Sequence, residues 1–199
     1  MHDVSPLKST MKMAGRAFTL RYIPAREDLT DVPMDNLTDK QRVGIEQLTP
    51  GDVLVIDARG DTRAGTMGSI LAERMHQLGA AGVVTDGAYR DSPTIAECGL
   101  AAYSRAMNAH TNKTIHYPSE IQVPVGCGEV AVFPGDIIVG DAEGVVVIPA
   151  HLADDVAAAA EEMESKEEFI LARIRAGASL VGTYPPDEET LKQYERRDR

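Results

Sequence analysis

Apolar positions fall into three rhythms along this chain, and each rhythm predicts a different kind of element. Alternation of β-branched and aromatic residues with polar ones over Ala17-Phe18-Thr19-Leu20-Arg21-Tyr22-Ile23 predicts a strand. Unbroken apolar runs, Val53 to Asp57 and Ala81 to Asp86, predict strands covered on both faces. Helical spacing governs Gln41 to Leu48, Ile70 to Gly79 with its glycine stop, and a short stretch from Thr94 to Cys98. It governs His151 to Ala176 at greater length, with acidic residues early, basic residues late and Gly177 just beyond.

These elements come in a telling order. The Val53 strand, the small-residue turn Gly65-Thr66-Met67-Gly68-Ser69, the Ile70 helix and the Ala81 strand make a βαβ unit, which requires a parallel pair. In open α/β sheets ligands favour the edge where strands end, because the turns there gather backbone N–H groups and polar side chains. The segment Pro24 to Lys40 is polar and rich in Asp and Pro; it reads as a loop holding at most a short helix, and a loop of that length is functional or an interface element. An irregular region rich in His, Asn and Tyr follows Cys98. From Ile121 to Pro149 short apolar runs are broken by Pro-Gly-Asp and Asp-Ala-Glu-Gly turns, a β-rich half with hairpin signals. The tail from residue 178 carries Pro185-Pro186 and a charged finish and is expected to pack only in part.

Composition narrows the class. With 199 residues, 43% of them hydrophobic, the chain encloses one sizeable core, so a single α/β domain is expected. No run of roughly 18 apolar residues is present and the first residues lack a charged-then-apolar leader, which predicts a soluble, cytoplasmic protein with no membrane partner. Cys98 and Cys127 lack metal-ligand spacing and read as reduced thiols. Thirty-one acidic against 20 basic side chains leave a formal charge of -11, which argues against nucleic acid as a partner. The same balance repels a small anion, so such a substrate needs a local concentration of positive charge or of N–H donors.

Two places offer one. Unpaired N–H groups and glycines at the turn Ala64 to Ser69, where a helix begins, make an anion-binding concavity, although a small-residue turn also serves plain packing. After the second buried strand, Arg90 offers a planar fork matched to a carboxylate and Asp91 a hard oxygen ligand for magnesium or manganese; the two also read as a local surface ion pair. His110 and His116 lie in the irregular region as further acid or base candidates, against a plain solvated role. His76 and Tyr89 read as packing.

Taken together, Gly51-Asp52-Val53-Leu54-Val55-Ile56-Asp57, Gly68-Ser69-Ile70-Leu71-Ala72, Gly79 through Thr85-Asp86-Gly87-Ala88-Tyr89-Arg90-Asp91, and Phe133-Pro134-Gly135-Asp136 through Gly144-Val145-Val146-Val147-Ile148-Pro149 resemble the RraA-like family. The likeness runs from about Ala14 to Gly177, leaving residues 1–13 as an extension and 178–199 as a tail. That family includes class II 4-hydroxy-4-methyl-2-oxoglutarate aldolases, which also decarboxylate oxaloacetate, and non-enzymatic inhibitors of an RNA-degrading endonuclease. The resemblance implies a swivelling α/β/β domain that assembles into trimers or hexamers with sites between subunits. Carried over by position, it implies that Arg90 holds the carboxylate or carbonyl of a 2-oxo acid and that Asp91 holds Mg2+ or Mn2+ through its water shell. Gly68, Ser69 and the N–H groups of Ile70 and Leu71 would bind substrate. A further metal carboxylate, Glu167 with Glu168 as the alternative, would come from a neighbouring subunit.

The chain departs from the family's pattern twice. Aldolase-like members carry Asp or Glu where this chain has Ser69, and a serine supplies no negative charge to a proton relay. Members also carry a helical segment ahead of the part resembling Met13-Ala14-Gly15-Arg16, and here that segment is absent or cut away. The expected function is a metal-dependent carbon–carbon lyase releasing pyruvate from a 2-oxo acid. Its rivals are a protein-interaction regulator that masks a basic partner with its acidic surface, and a hydratase or dehydratase of sugar-acid catabolism using the same enolate chemistry.

Overall fold

A computed structural model describes residues 1–30 and 35–197. Residues 31–34 of the expected 24–40 loop, and the last two residues of the charged tail, lie outside the described residues. Two compact units divide the chain, Met1–Ala150 and His151–Arg199; residue 177, the expected end of the domain, falls inside the second.

The first unit is built on one mixed sheet. Its strands are β1 (Ser5–Pro6), β2 (Met13–Pro24), β3 (Asp52–Asp57), β4 (Gly82–Tyr89), β5 (Ala101–Met107), β6 (His116–Ile121), β9 (Ile137–Gly140) and β10 (Val145–Ile148), with β7 (Val125–Cys127) and β8 (Val130–Val132) forming a separate hairpin. Spatial order is β1-β5-β4-β3-β2-β9-β10, and β6 pairs with the second half of β2. The four central strands β2 to β5 are parallel, and β1, β6, β9 and β10 join the sheet antiparallel. The helices of this unit are α1 (Glu27–Thr30), α2 (Lys40–Glu46), α3 (Ser69–Gln77) and α4 (Ser92–Glu97).

Side-chain alternation splits the core across the sheet. Leu54 and Ile56 point with Phe18, Leu20 and Tyr22 into a cluster with Met75 of α3 and Ile95 of α4. Val53 and Val55 point the other way with Val84, against Val125, Cys127, Val132, Ile138 and Val145. Helices thus cover one face and β7, β8 and the β9–β10 hairpin line the other, the α/β/β architecture expected; the continuous apolar run of β3 is buried on both sides for that reason.

Two identical turns hold β2 in place. Thr49-Pro50-Gly51-Asp52 and Phe133-Pro134-Gly135-Asp136 each close with the amide of Asp donating to the carbonyl three residues back (3.0 and 3.1 Å), and each has Gly at positive φ (86° and 89°), as a type II turn with Pro at its second position demands. In each, the buried Asp carboxylate accepts the same residue's amide, Thr49 N–H and Phe133 N–H, both at 2.8 Å. The turns then grip β2 from either side: Arg16 N–H donates to Gly51 O (3.0 Å), Ala17 N–H to Asp136 O (2.7 Å), and Gly135 N–H to Ala17 O (2.9 Å).

The irregular region expected after Cys98 is a correction, since it contains β5 and β6. In β5, Ala-Ala-Tyr-Ser-Arg-Ala-Met has no apolar rhythm because small residues suffice beneath neighbouring layers, and β6 carries Pro118, tolerated on an edge strand. In the second unit, α5 (Ala153–Arg175) is the long helix expected, and α6 (Glu188–Arg197) occupies the tail. Asp187 accepts Thr190 N–H at 2.8 Å, as an N-capping side chain does, and Phe169 meets Tyr194 with ring centroids 5.6 Å apart. With only Leu191 and Tyr194 apolar among its ten residues, the helix offers few positions from which a spacing can be read.

Removing either turn carboxylate leaves a part-buried amide without its acceptor. Asp52→Ala and Asp136→Ala are each expected to lower the unfolding free energy by about 1–3 kcal/mol in urea titration; unchanged midpoints in both would show that the turns do not anchor β2.

Candidate active site

The turn from β3 to α3 is tied down before any site residue is reached. Thr66 is fully buried, and its N–H and Oγ1 both donate to Ala88 O, at 2.7 and 3.0 Å. Its carbonyl accepts from Tyr22 OH at 3.0 Å, Gln41 Nε2 at 2.8 Å and Asn112 Nδ2 at 3.4 Å. Arg90 N–H donates to Met67 O (2.9 Å) and Gly65 N–H to His110 O (2.9 Å). The turn is therefore stitched to the end of β4, which brings the two sequence-predicted elements together as expected from the βαβ unit.

Asp91 sits at φ 59°, ψ 29°, a left-handed conformation that Asp tolerates better than most residues, and it is the N-cap residue of α4. Its carboxylate makes no bond to that helix. Instead Oδ2 turns to the start of α3, accepting Ser69 N–H at 3.2 Å and Ser69 Oγ–H at 3.4 Å, with Arg90 Nε 3.5 Å away. Gly68 permits this approach, because a Cβ there would lie 2.6 Å from Asp91 Oδ2 and 3.2 Å from an Arg90 guanidinium nitrogen. The next N–H groups of α3, on Ile70 and Leu71, have no partner within the helix, as first-turn amides do not.

All of these residues line one cavity of about 320 Å³. Gly68, Ser69, Ile70, Leu71, Arg90 and Asp91 form one side. The sequence reading missed the other: Gln41 and Arg42 at the start of α2, and Thr111, Asn112 and Lys113 of the loop before β6. Three cations, Arg42, Arg90 and Lys113, thus surround a space that holds one carboxylate, Asp91, in a chain whose formal charge is -11. A signal did exist, in the length of the 24–40 loop that leads into α2.

The other candidates are placed elsewhere. His110 is exposed, its ring 3.0 Å from Thr114 Oγ1, and it does not line the cavity. His116 is buried, stacked on Tyr22 (centroids 5.4 Å apart) with Arg59 3.2 Å from Nδ1. Burial, then the Arg59 charge, pushes its pKa below the usual 6.5. Tyr89 is fully buried in the helix-side core, where desolvation drives its phenol well upward. Asp86 is buried too, raised chiefly by desolvation, and its carboxylate accepts Ala58 N–H and Gly60 N–H at 2.7 and 2.8 Å, which shapes the loop after β3. Glu167 and Glu168 are exposed on α5 of the second unit. Among the described residues no group of three or more His, Cys, Asp or Glu side chains converges as a metal cage, and no helix is long and apolar enough to cross a membrane.

Comparison with known proteins follows the geometry. Residues 1–147 match the family model described as RraA-like, Aldolase/RraA. A protein of Halalkalibacterium halodurans provisionally named 4-hydroxy-4-methyl-2-oxoglutarate aldolase is 38% identical over 165 residues, which covers 83% of this chain and 73% of that protein. Among solved structures, Streptomyces coelicolor RraAS2, described as an unusual member of the RNase ES inhibitor RraA protein family, aligns with a TM-score of 0.75 at 34% identity over 83% of this chain and 79% of that one. An uncharacterized protein from Pseudomonas syringae pv. tomato aligns with a TM-score of 0.78 at 26% identity over 92% and 82% of the two chains.

A histidine whose folded pKa lies below 6.5 stays neutral where the unfolded chain already takes up a proton. Stability from this group is therefore full above the unfolded value and falls as pH drops through it. Thermal melts between pH 8 and 5 are expected to show a decline below about pH 6.5 that is shallower in His116→Phe, which keeps the ring stack. Identical pH profiles would mean that His116 does not titrate differently on folding.

Proposed function

Since the chain belongs to the RraA-like family, we propose that it is a divalent-metal-dependent lyase of the aldolase type, acting on a 2-oxo acid. The observation that carries this reading is the position of Asp91, whose carboxylate is turned away from its own helix onto the first turn of α3 beside the Arg90 fork, at the edge of a cation-lined cavity.

Asp91 suits magnesium or manganese in particular, because such ions keep most of their water and need only one or two protein carboxylates, whereas a caged metal needs more ligands than converge among the described residues. Asp91 would hold the ion, and Glu167 of a neighbouring subunit in a trimer or hexamer is the proposed further carboxylate. When bound, the ion would supply Lewis-acid polarisation of the 2-oxo group. The remaining work falls to this chain. The Ile70 and Leu71 N–H groups, at the positive end of α3, bind the substrate carboxylate. Arg90 pairs with the carboxylate or the 2-oxo oxygen, and its fixed charge balances the enolate formed as the bond between C3 and C4 breaks and its electrons pass toward that oxygen. On the other side of the broken bond C4 leaves as CO2 from oxaloacetate, or, from 4-hydroxy-4-methyl-2-oxoglutarate, its hydroxyl gives its proton to water as C4 becomes the carbonyl of a second pyruvate; the enolate takes a proton at C3 from water and leaves as pyruvate. Ser69 takes no proton in this scheme; its hydroxyl donates to Asp91 and helps to hold it.

Pyruvate release from oxaloacetate and from 4-hydroxy-4-methyl-2-oxoglutarate, assayed with magnesium, with manganese and with chelator, tests this reading. Metal-dependent release is expected, with Asp91→Ala lowering kcat/KM by at least about 100-fold and Arg90→Lys by about 10-fold, some 2.7 and 1.4 kcal/mol of transition-state stabilisation. Full metal-dependent activity in Asp91→Ala would overturn the assignment. Gly68→Ala is expected to stay folded, because the side-chain ends it meets can move, yet to lose most activity as Asp91 is displaced.

A second reading has support of its own in the acidic balance and in the likeness to RraAS2, whose description names an RNase inhibitor family. Salt-sensitive binding to an RNA-degrading enzyme, with no turnover of any 2-oxo acid, would favour that role.

A further inference from the structure

His116 puts a polar ring where an apolar one would fill the space. It opens β6 opposite Pro24 of β2 and is 1% exposed, stacked on Tyr22 with the two ring planes 20° apart. Its nitrogens need partners in such a place. Nε2 has none among the described residues. Nδ1 has Arg59, whose Nη2 is 3.2 Å away and also donates to Ile115 O at 3.4 Å. A guanidinium only donates, so Nδ1 must accept, and the bond requires the uncharged ring with its proton on Nε2.

A proton on Nδ1 sets two donors and two positive charges 3.2 Å apart. The other charges around the ring do not offset this. Asp61 favours the proton but is already paired with Arg63 at 2.6 Å, and Arg63 itself opposes it. The Ala64 carbonyl favours it without making a hydrogen bond to the ring. Asp35, Asp39, Lys113 and Tyr117 line with His116 a hollow of about 170 Å³. Both of those carboxylates have backbone donors of their own, Asp35 from Leu37 N–H at 2.9 Å and Asp39 from Arg42 N–H at 3.1 Å. Burial and Arg59 therefore outweigh the rest.

Tyr22 carries the consequence to the cavity. The phenol stacked on His116 donates to Thr66 O at 3.0 Å, and the next carbonyl along the turn, that of Met67, accepts Arg90 N–H at 2.9 Å. Gly68 and Ser69 follow, with the Asp91 carboxylate against them. A ring driven from Arg59 disturbs its stacking partner, and the turn then loses one of the donors that fix it.

We infer that His116 is a positioning residue: as the uncharged ring, accepting from Arg59, it holds Tyr22 against the Thr66 carbonyl, and protonation releases the turn that leads into α3. His116 does this for any ligand of the cavity, so its role stands apart from the 2-oxo acid reading.

Amide resonances followed by NMR from pH 8 to pH 5, below the onset of melting at each pH, test this without a ligand. In the unaltered protein the amides from Thr66 to Leu71 and that of Arg90 are expected to shift together, with one midpoint below about 6.5 that coincides with the midpoint of the His116 ring. In His116→Phe, which keeps the stack and takes up no proton, they should hold their pH 8 positions; in His110→Gln they should move as in the unaltered protein. Arg59→Met, a change at an exposed side chain, gives an independent arm: without the guanidinium the His116 midpoint rises and the amide displacement shrinks. Pyruvate affinity with magnesium should fall at least about threefold over the same range in the unaltered protein and stay level in His116→Phe. Amides that stay fixed in the unaltered protein, that shift alike in His116→Phe, or that shift undiminished in Arg59→Met would overturn the role. The expected amide shifts in a protein that binds no pyruvate at any pH would keep it and count against the 2-oxo acid reading.

Discussion

The carbonyl oxygen of Thr66 is the point on which the site depends. A carbonyl has two lone pairs, and this one draws donors from β2, α2 and the loop before β6, while the same residue's N–H and hydroxyl fasten to Ala88 at the end of β4. Apart from the half-buried Asn112, these residues are buried, where a polar atom left without a partner is costly. The turn therefore has one favourable position, and the start of α3, the Arg90 and Asp91 pair and the cationic wall are placed with respect to it.

Around that anchor the chain concentrates a charge opposite to its own. An acidic surface keeps anions at a distance in general, so binding any small anion depends on the local sign of the field. Arg42, Arg90 and Lys113 supply that sign, the first turn of α3 adds N–H donors, and Asp91 contributes the single carboxylate, oriented by Ser69 in the absence of a second acid there. Aldolases and regulators share this fold, so a catalytic role depends on the constellation of side chains in the cavity.

Local pattern and tertiary placement contributed unequally to the fold. The β3–α3–β4 unit was legible, because unbroken apolar runs and a helical rhythm report how each segment is buried, and the long α5 was marked by its charge asymmetry. β5 and β6 were not legible, since small and polar residues entered the sheet through burial imposed by neighbours. α6 was hidden by its few apolar positions, although Pro185-Pro186 followed by Asp187 and an acidic first turn carries a helix-start signature. His110, weighed as an acid or base, lies outside the cavity, and its backbone carbonyl rather than its ring supports Gly65.

The amino-acid sequence by itself determined the order of elements, the two buried parallel strands, and the anion-binding potential of the turn at Gly68 and of Arg90 with Asp91, because each of these is a property of a short segment and its own periodicity. Only the tertiary structure decided that Arg42 and Lys113, 71 residues apart, face the same cavity as Arg90. That meeting follows from strand register and from buried hydrogen bonds to one carbonyl, interactions between segments that no local pattern encodes.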